Sequence, residues 1–269
     1  MNTWEHITSI RRRARVAAVA VALALLTTGS HADAKEMSAD QIVDRMIDGD
    51  PLGYGGAEAQ LVMALVNNRG QTRKRKVVMY SRRDGKTRRL FLRFLSPADV
   101  AGTSFLGVDD DGDRTQHLYM PSLGRTRRIS SRQRNASFVG TDYSYADLDN
   151  RDVNDAVKKR LGDEKVGAES CYVIAAAPKN PDSKYKRIDL WISKKSFLPL
   201  RIRFYGKNGG EIKRLTVQEV KHVGKRWLIS ESKMVDLERE HTTIFKLVDV
   251  TLKDDISLDQ FTVRALERG

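Results

Sequence analysis

Hydrophobic and polar residues alternate along most of the chain from Ala57 onward. A period of two is typical of β-strands that bury one face, because successive side chains point to opposite sides of a sheet. The runs AEAQLVMALVNN, TRKRKVVMYSR and KTRRLFLRFLS are separated by NRG and DG, which are strong hairpin-turn signals. Similar runs continue to HTTIFKLVDVTL. We predict a mainly β protein with a few helices and about 11 antiparallel strands in a meander.

The same alternation assigns residues to strand faces. Leu90, Leu92 and Phe94 are expected to share one apolar face of their strand, with arginines on the other face. A second set, Leu200, Ile202 and Phe204, is expected to share the apolar face of a later strand. A single sheet of this length has to curl to bury its apolar side, so a half-open barrel is favoured over a flat sheet.

The first residues have the pattern of a secretory signal. Four arginines precede the apolar run VAAVAVALALL, which is too short to span a bilayer and ends in small residues at Ala32-Asp33-Ala34. We expect cleavage after residue 34, which leaves a single domain over residues 35–269. The next run, SADQIVDRMIDGD, begins with a capping box of Ser38 and Gln41 and predicts a short amphipathic helix from about Ser38 to Asp48.

Composition limits the function. The 269-residue chain is 40% hydrophobic and carries a net charge of +13, and most of that excess lies outside the expected signal. A secreted location argues against nucleic acid as the partner of this charge and leaves anionic lipid head groups, phosphates or an acidic protein face. Cys171 is the only cysteine, so an intramolecular disulfide is excluded.

No arrangement of residues in the sequence is typical of a catalytic or metal site. The acidic run Asp109 to Asp113 lacks the glycine and glutamate spacing of a calcium loop and favours a hairpin turn. The histidines after the signal stand alone, and Ser104 is not in a nucleophile elbow. We therefore expect no enzyme activity, no cofactor and no metal; an enzyme acting on envelope lipids would need clustered acids, histidine or serine.

Basic residues recur in YMPSLGRTRRIS. Arg125, Arg127 and, one step out of phase, Arg128 are interpreted either as a solvated strand face or as a docking surface for a membrane or a partner.

Two stretches carry a family resemblance: FLRFLSPADVAGTSFLGV and YMPSLGRTRRISSRQRNASFVGTDYSYADL. They resemble the outer membrane lipoprotein-sorting protein family, relatives of the periplasmic carrier LolA. The resemblance implies a strongly curved antiparallel sheet, a half-open barrel covered by helices, whose apolar concave face holds acyl chains. In LolA a buried arginine takes part in lid movement, but the sequence does not align one arginine of this chain to it.

The resemblance implies a periplasmic carrier or chaperone that binds a lipid or lipidated protein and transfers it between envelope membranes, or to or from an inner-membrane transporter of the resistance-nodulation-division (RND) type. We expect a monomer, with the outer membrane as a possible acceptor and a peripheral membrane contact. The alternative is a scaffold or signalling protein that binds a partner protein with the same fold. The expected cavity lining is Leu61, Met63, Leu65, Leu90, Leu92, Phe94, Leu200, Ile202 and Phe204, and the expected lid residues are Phe138, Tyr143 and Tyr145.

Overall fold

The computed structural model describes residues 36–49 and 55–268. The expected signal segment, residues 1–34, lies outside the described residues. The elements below belong to the compact unit Met37–Gly269. In the part of the chain that the structure describes, no helix is long and apolar enough to cross a membrane.

Within the described residues, thirteen antiparallel strands form one sheet, in the order β6-β5-β4-β3-β2-β1-β13-β12-β11-β10-β9-β8-β7. The first and last strands therefore pair at the centre, and β6 and β7 are the two free edges. The sheet is strongly curved and does not close, which confirms the predicted half-open barrel. The strands are β1 (Ala57–Val66), β2 (Thr72–Asp84), β3 (Thr87–Ser96), β4 (Ser104–Asp110), β5 (Asp113–Met120), β6 (Arg125–Arg128), β7 (Ala156–Val166), β8 (Glu169–Pro178), β9 (Tyr185–Ser193), β10 (Pro199–Gly206), β11 (Glu211–Val223), β12 (Arg226–Asp236) and β13 (His241–Leu252).

The strand count exceeds the predicted number of about 11, and β4 is a strand with a weak sequence signal. Its sequence, SFLGVDD, places a glycine and two aspartates in the second half of the strand, and these residues weaken a strand pattern. The acidic run beside it forms the β4–β5 hairpin turn, as predicted. Asp111 and Gly112 lie there at positive φ angles of 49° and 98°.

The N-terminal helix follows its capping signal. Helix α1 (Ala39–Asp48) begins after Ser38, whose hydroxyl accepts a hydrogen bond from the Gln41 backbone N–H at 3.2 Å. The Gln41 side-chain oxygen in turn accepts a hydrogen bond from the Ser38 backbone N–H at 2.9 Å. Ile42, Val43 and Met46 are buried on one side of the helix, so the predicted amphipathic helix is confirmed.

The inner face of the sheet carries two apolar clusters. One is built on β1 to β5 and contains Leu61 and Leu92; the other is built on β8 to β12 and contains Leu190, with α1 packed against it. The outer face is mostly polar, but Phe91 and Leu106 are covered there by the C-terminal segment. The remaining helices are α2 (Tyr145–Leu148), α3 (Arg151–Asn154) and α4 (Val263–Glu267), with 3-10 turns η1 (Pro121–Leu123), η2 (Ser131–Gln133) and η3 (Leu258–Phe261).

Residues 129–155, here called the cover, connect one free edge of the sheet to the other. The cover leaves the sheet at the end of β6, includes η2, α2 and α3, and returns at β7. Phe138 and Tyr145 of the cover pack into the first apolar cluster, and Val153 packs into the second. The connection between the edges therefore lies over the inner face and shields both of its apolar clusters from solvent.

Candidate binding hollow

Two neighbouring cavities lie between the inner face, α1 and the cover. The first chamber has a volume of about 60 Å³ and the second about 120 Å³. Ile47 of α1 and Leu148 and Asn150 of the cover line both chambers, which together are called the hollow. An apolar cavity with a few polar side chains is the usual form of a small-molecule site. The apolar lining includes Leu90 and Phe105 in the first chamber and Ile188, Leu190, Ile202, Phe204, Leu215 and Met234 in the second.

The predicted lining residues of β1 and β3 all lie on the inner face. They are buried in one cluster with Phe138 and Tyr145 of the cover. Leu90 lines the first chamber, and Leu61 lines a separate small cavity together with Ile229 of the second chamber. The other members of the set are covered by side chains of the protein itself: Met63, Leu65, Leu92 and Phe94.

The predicted lining residues of β10 do not share one face. Ile202 and Phe204 line the second chamber, whereas Leu200 packs with Cys171 and Trp191 in a cluster on the outer face. The pairing of β10 with β9 shifts register between Pro199 and Arg201, which is a β-bulge. A bulge adds one residue to a strand and interrupts the alternation of faces, so the expectation for Leu200 was wrong.

All three predicted lid residues belong to the cover. The Phe138 ring lies 5.2 Å from the Phe105 ring and 5.6 Å from the Tyr145 ring, both edge-on. Tyr143 packs between the two inner clusters and lines the second chamber, with its hydroxyl 3.4 Å from the Ser232 hydroxyl. Burial raises the pKa of Tyr143 to about 12, so this phenol is uncharged at neutral pH.

A buried arginine joins the sheet to the cover. Arg75 of β2 is 7% exposed and its Nη1 donates a hydrogen bond to the Val139 carbonyl. Its guanidinium also lies 5.7 Å from the centre of the Phe94 ring. Burial is the main cause that lowers the pKa of Arg75. In TRKRKVVMYSR, Arg75 has the same phase as Val77 and Met79, and this alternation is the signal that could have placed it on the inner face.

A buried ion pair holds α2 on the other half of the sheet. Lys213 of β11 donates to the Asp147 carboxylate, which also accepts a hydrogen bond from the Tyr185 hydroxyl at 3.0 Å. Burial lowers the pKa of Lys213. Burial alone would raise the pKa of Asp147, but the charges of Lys213 and Lys184 and the hydrogen bonds from Lys213 and the Ser144 backbone together outweigh it, and the pKa lies below its usual value. No local pattern predicts this ion pair, because its members are 66 residues apart.

The fold and part of the sequence match known proteins. A family model described as "-like: Uncharacterized protein" matches residues 86–268. An outer membrane lipoprotein-sorting protein domain from Vibrio parahaemolyticus is 27% identical, with a TM-score of 0.77 over 86% of this chain and 98% of that chain. A DUF1329 family protein from Desulfovibrio piger is 24% identical, with a TM-score of 0.77 over 85% and 97%. A LolA superfamily protein from Nitrosomonas europaea is 16% identical, with a TM-score of 0.65 over 84% and 98%.

The chain belongs to the family whose model matches residues 86–268, and its fold is LolA-like. The search of curated proteins gave no match. Within the described residues of this LolA-like protein, no group of three or more histidine, cysteine, aspartate or glutamate side chains could hold a metal ion.

The LolA-like cover is also anchored at Asp142, whose side chain is fully buried. The Asp142 carboxylate accepts hydrogen bonds from Thr243 at 2.6 Å and from Arg239 at 2.6 Å, and it lies 2.8 Å from Nδ1 of His241. The Asp142 backbone N–H donates to the Thr243 hydroxyl at 3.0 Å. Together with Arg75 of β2, this cluster attaches the cover to β13 and β2, the two strands that flank β1.

The three arginines proposed for docking are exposed on the short edge strand β6 of the LolA-like sheet. Arg127 pairs with Leu118, an inner-face residue, and its positive charge opposes the burial that raises the pKa of Tyr145 in the cover. Arg125 and Arg128 pair with Met120 and His117. The three side chains therefore share one edge of the sheet, and the charge of Arg127 also acts on the cover.

Proposed function

We propose that this protein is a periplasmic carrier that holds the acyl part of a lipid or lipidated protein in its hollow and transfers it between envelope membranes or to or from an inner-membrane transporter of the RND type. The observation that carries the proposal is the apolar hollow between the inner face and the cover. An acyl chain gains about 0.8 kcal/mol for each CH₂ group that leaves water. Such a carrier needs no catalytic group.

Loading requires the cover to move. The two chambers, at about 60 and 120 Å³, are smaller than the roughly 300–1,000 Å³ typical of ligand pockets. Side chains of the cover fill the rest of the inner face, with Phe138 and Tyr145 packed into the cluster of β1 to β5. An entering acyl chain would replace these side chains, so apolar contact is exchanged rather than lost.

The expected signal segment and the charge of the chain support a periplasmic location and a membrane encounter. The residues after position 34 carry a basic excess of eleven charges. Such a surface attracts anionic membranes and acidic partners, and salt weakens the attraction. N-terminal sequencing of protein from a periplasmic fraction tests the location: a start at Lys35 supports it, and an intact Met1 contradicts cleavage.

Mass spectrometry of organic extracts from the native protein tests the carrier function. We expect lipid to co-purify with the wild-type chain. Ile202→Asp places a charge in the second chamber and should abolish this, whereas Leu200→Asp makes the same change on the outer face of the same strand and should not. A wild-type protein that is reproducibly empty would overturn the carrier function and favour the scaffold alternative.

Vesicle binding tests the docking role of the β6 edge. Reversal of Arg125, Arg127 and Arg128 to glutamate should weaken binding to phosphatidylglycerol vesicles at low salt several-fold. Because the charge of Arg127 acts on Tyr145 of the cover, a variant with only Arg125 and Arg128 reversed separates docking from cover movement. A matched control reverses three exposed lysines elsewhere, Lys186, Lys221 and Lys225. Equal binding by the β6 variant and the wild type would contradict docking at this edge.

A further inference from the structure

Gln116, which lines the first chamber, has a buried acceptor without a partner among the described residues. Gln116 of β5 lines this chamber and is 1% exposed. Its Nε2 donates to the Tyr145 carbonyl at 2.8 Å and to the Asp149 carboxylate at 3.3 Å, which fixes the orientation of the amide. Its Oε1 accepts no hydrogen bond from any described residue. A buried polar atom in this condition costs about 1–3 kcal/mol, so it needs an explanation.

A residue of the second chamber also has a buried acceptor atom without a hydrogen-bond partner in the part of the chain that the structure describes. Asp152 of α3 lines this chamber, is 6% exposed, and its Oδ2 has no hydrogen-bond partner among the described residues. Both unpartnered atoms therefore belong to residues of the hollow, one in each chamber. The chambers share a wall of Ile47, Leu148 and Asn150, so one amphiphile that spans them can reach both residues.

The charged residues that line the hollow differ in whether an oppositely charged side chain pairs with them. Three of its carboxylates are matched by a basic partner: Asp109 by Arg88 and Arg114, Asp149 by Arg134, and Asp147 by Lys213. The basic residues that line the hollow are matched as well, because Arg88 pairs with Asp109 and Arg89 pairs with Asp84. No ion pair joins Asp152 to a described basic residue within 4.0 Å. The unmatched group of the hollow is therefore an acid.

We propose that the hollow selects an amphiphile with an uncharged, hydrogen-bond-donating head group, such as a hydroxyl or an amide, and rejects phosphate and carboxylate head groups. The inference rests on the proposed carrier function and names its ligand class. A donor group completes the hydrogen bonding of Gln116 Oε1 and Asp152 Oδ2. An anionic head supplies no donor when fully ionised, and it would bring a second negative charge beside Asp152 into a region of low dielectric.

The state of Asp152 is compatible with this ligand class. Burial is the main cause that raises its pKa, and the negative charge of Asp147 adds to the shift. A ligand hydroxyl both donates and accepts hydrogen bonds, so it can pair with the carboxylate or with the protonated acid. Anionic lipids, by contrast, are attracted only to the basic exterior, so the same protein can dock on an anionic membrane and leave its anionic lipids outside.

The test compares two short lipids that differ only by a phosphate. Delipidated protein is titrated with dioctanoylglycerol and with dioctanoyl phosphatidic acid, each in competition with one fluorescent acyl probe. We expect the wild type to bind the uncharged lipid at least ~10-fold more tightly, which corresponds to about 1.4 kcal/mol. Asp152→Asn keeps the shape and removes the charge, so the ratio should fall toward one. Asp44→Asn makes the same change on the exposed side of α1 and should leave the ratio unchanged.

Each result decides a different question. Equal or tighter binding of phosphatidic acid by the wild type overturns the ligand class but leaves the carrier function in place, because both lipids still bind. Binding of neither lipid, together with an empty native protein, overturns the carrier function itself. The wild-type comparison stands alone if Asp152→Asn does not fold. A ratio that Asp152→Asn leaves unchanged removes Asp152 from the selection.

Discussion

Truncation of Phe138 tests whether the cover can open separately from the sheet. Phe138 is 1% exposed and lies among three aromatic rings, with centroid distances of 5.9 Å to Phe94, 5.2 Å to Phe105 and 5.6 Å to Tyr145. Phe→Ala substitutions at buried sites cost about 3–5 kcal/mol, since transfer free energy is lost and a cavity remains. We expect about 4 kcal/mol for Phe138→Ala, because several aromatic contacts are lost together.

Native-state hydrogen exchange shows where this loss acts. The amide of Phe138, bonded to the Tyr143 carbonyl at 2.7 Å, and the amide of Ala146, bonded to the Arg134 carbonyl at 2.9 Å, report on the cover. If the cover opens by itself, their exchange in Phe138→Ala should accelerate by roughly a thousandfold, whereas amides of β9 should change less.

The matched control is Phe91→Ala. Phe91 is 0% exposed and packs on the outer face beneath the C-terminal segment, so the chemical change and the burial are the same. This variant should lose stability without a selective effect on the cover amides. The reasoning is refuted if both variants change cover and sheet amides alike, or if Phe138→Ala costs less than about 1 kcal/mol in urea unfolding.

Three further substitutions test the polar contacts of the cover. Arg75→Met removes the charged donor to the Val139 carbonyl, and a hydrogen bond to a charged group contributes about 1.5–3 kcal/mol. Amides of the cover should therefore exchange faster in this variant than in the control Arg73→Met, which changes an exposed arginine of the same strand. Equal exchange in the two variants would contradict the role of Arg75. Lys213→Met leaves the Asp147 carboxylate buried without its basic partner and should lower the free energy of unfolding by about 3–5 kcal/mol. The double variant with Asp147→Leu should restore part of this stability. A double variant no more stable than Lys213→Met would argue against the ion pair as the cause. Burial raises the pKa of Asp149 to about 6 from 3.8, so the folded state binds a proton at Asp149 more tightly than the unfolded state does. Protonated Asp149 therefore adds up to about 3 kcal/mol to the free energy of unfolding at low pH, and this contribution is lost as the pH rises from about 4 through 6. In urea titrations across this range, Asp149→Asn should show a flatter pH dependence than the wild type, and an identical slope would show that other groups cause it.

Short sequence motifs predicted those elements whose bounds depend on residues close together in the chain. The Ser38 and Gln41 capping box located α1 to within one residue, and hairpin turns such as the one at Asp111 and Gly112 were visible as acidic or glycine-containing breaks. Alternation also placed the apolar residues of β1 and β3 on one face, because neither strand carries a bulge between Leu61 and Leu65 or between Leu90 and Phe94.

The rest depends on contacts between distant residues. The face of Leu200 follows from a bulge that exists only in the pairing of β10 with β9, and no residue type in PLRIRFYG marks it. The partners of Arg75 and Asp142 lie 64 and about 100 residues away, so a single sequence contains no spacing that pairs them. The volume and polarity of the hollow depend on where the cover crosses the sheet, which composition and periodicity do not specify.

The pairing of the first strand with the last has a consequence for how the chain folds. Strands β1 to β6 and β7 to β13 each form a run of consecutive hairpins, and such local contacts form quickly. Within the described residues, the two runs of strands pair only between β1 and β13, from Ala57 opposite Leu252 to Val66 opposite Thr242. A chain that lacks β13 would therefore divide the sheet at its middle instead of losing an edge, so the hollow can be assembled only after nearly the whole polypeptide is available.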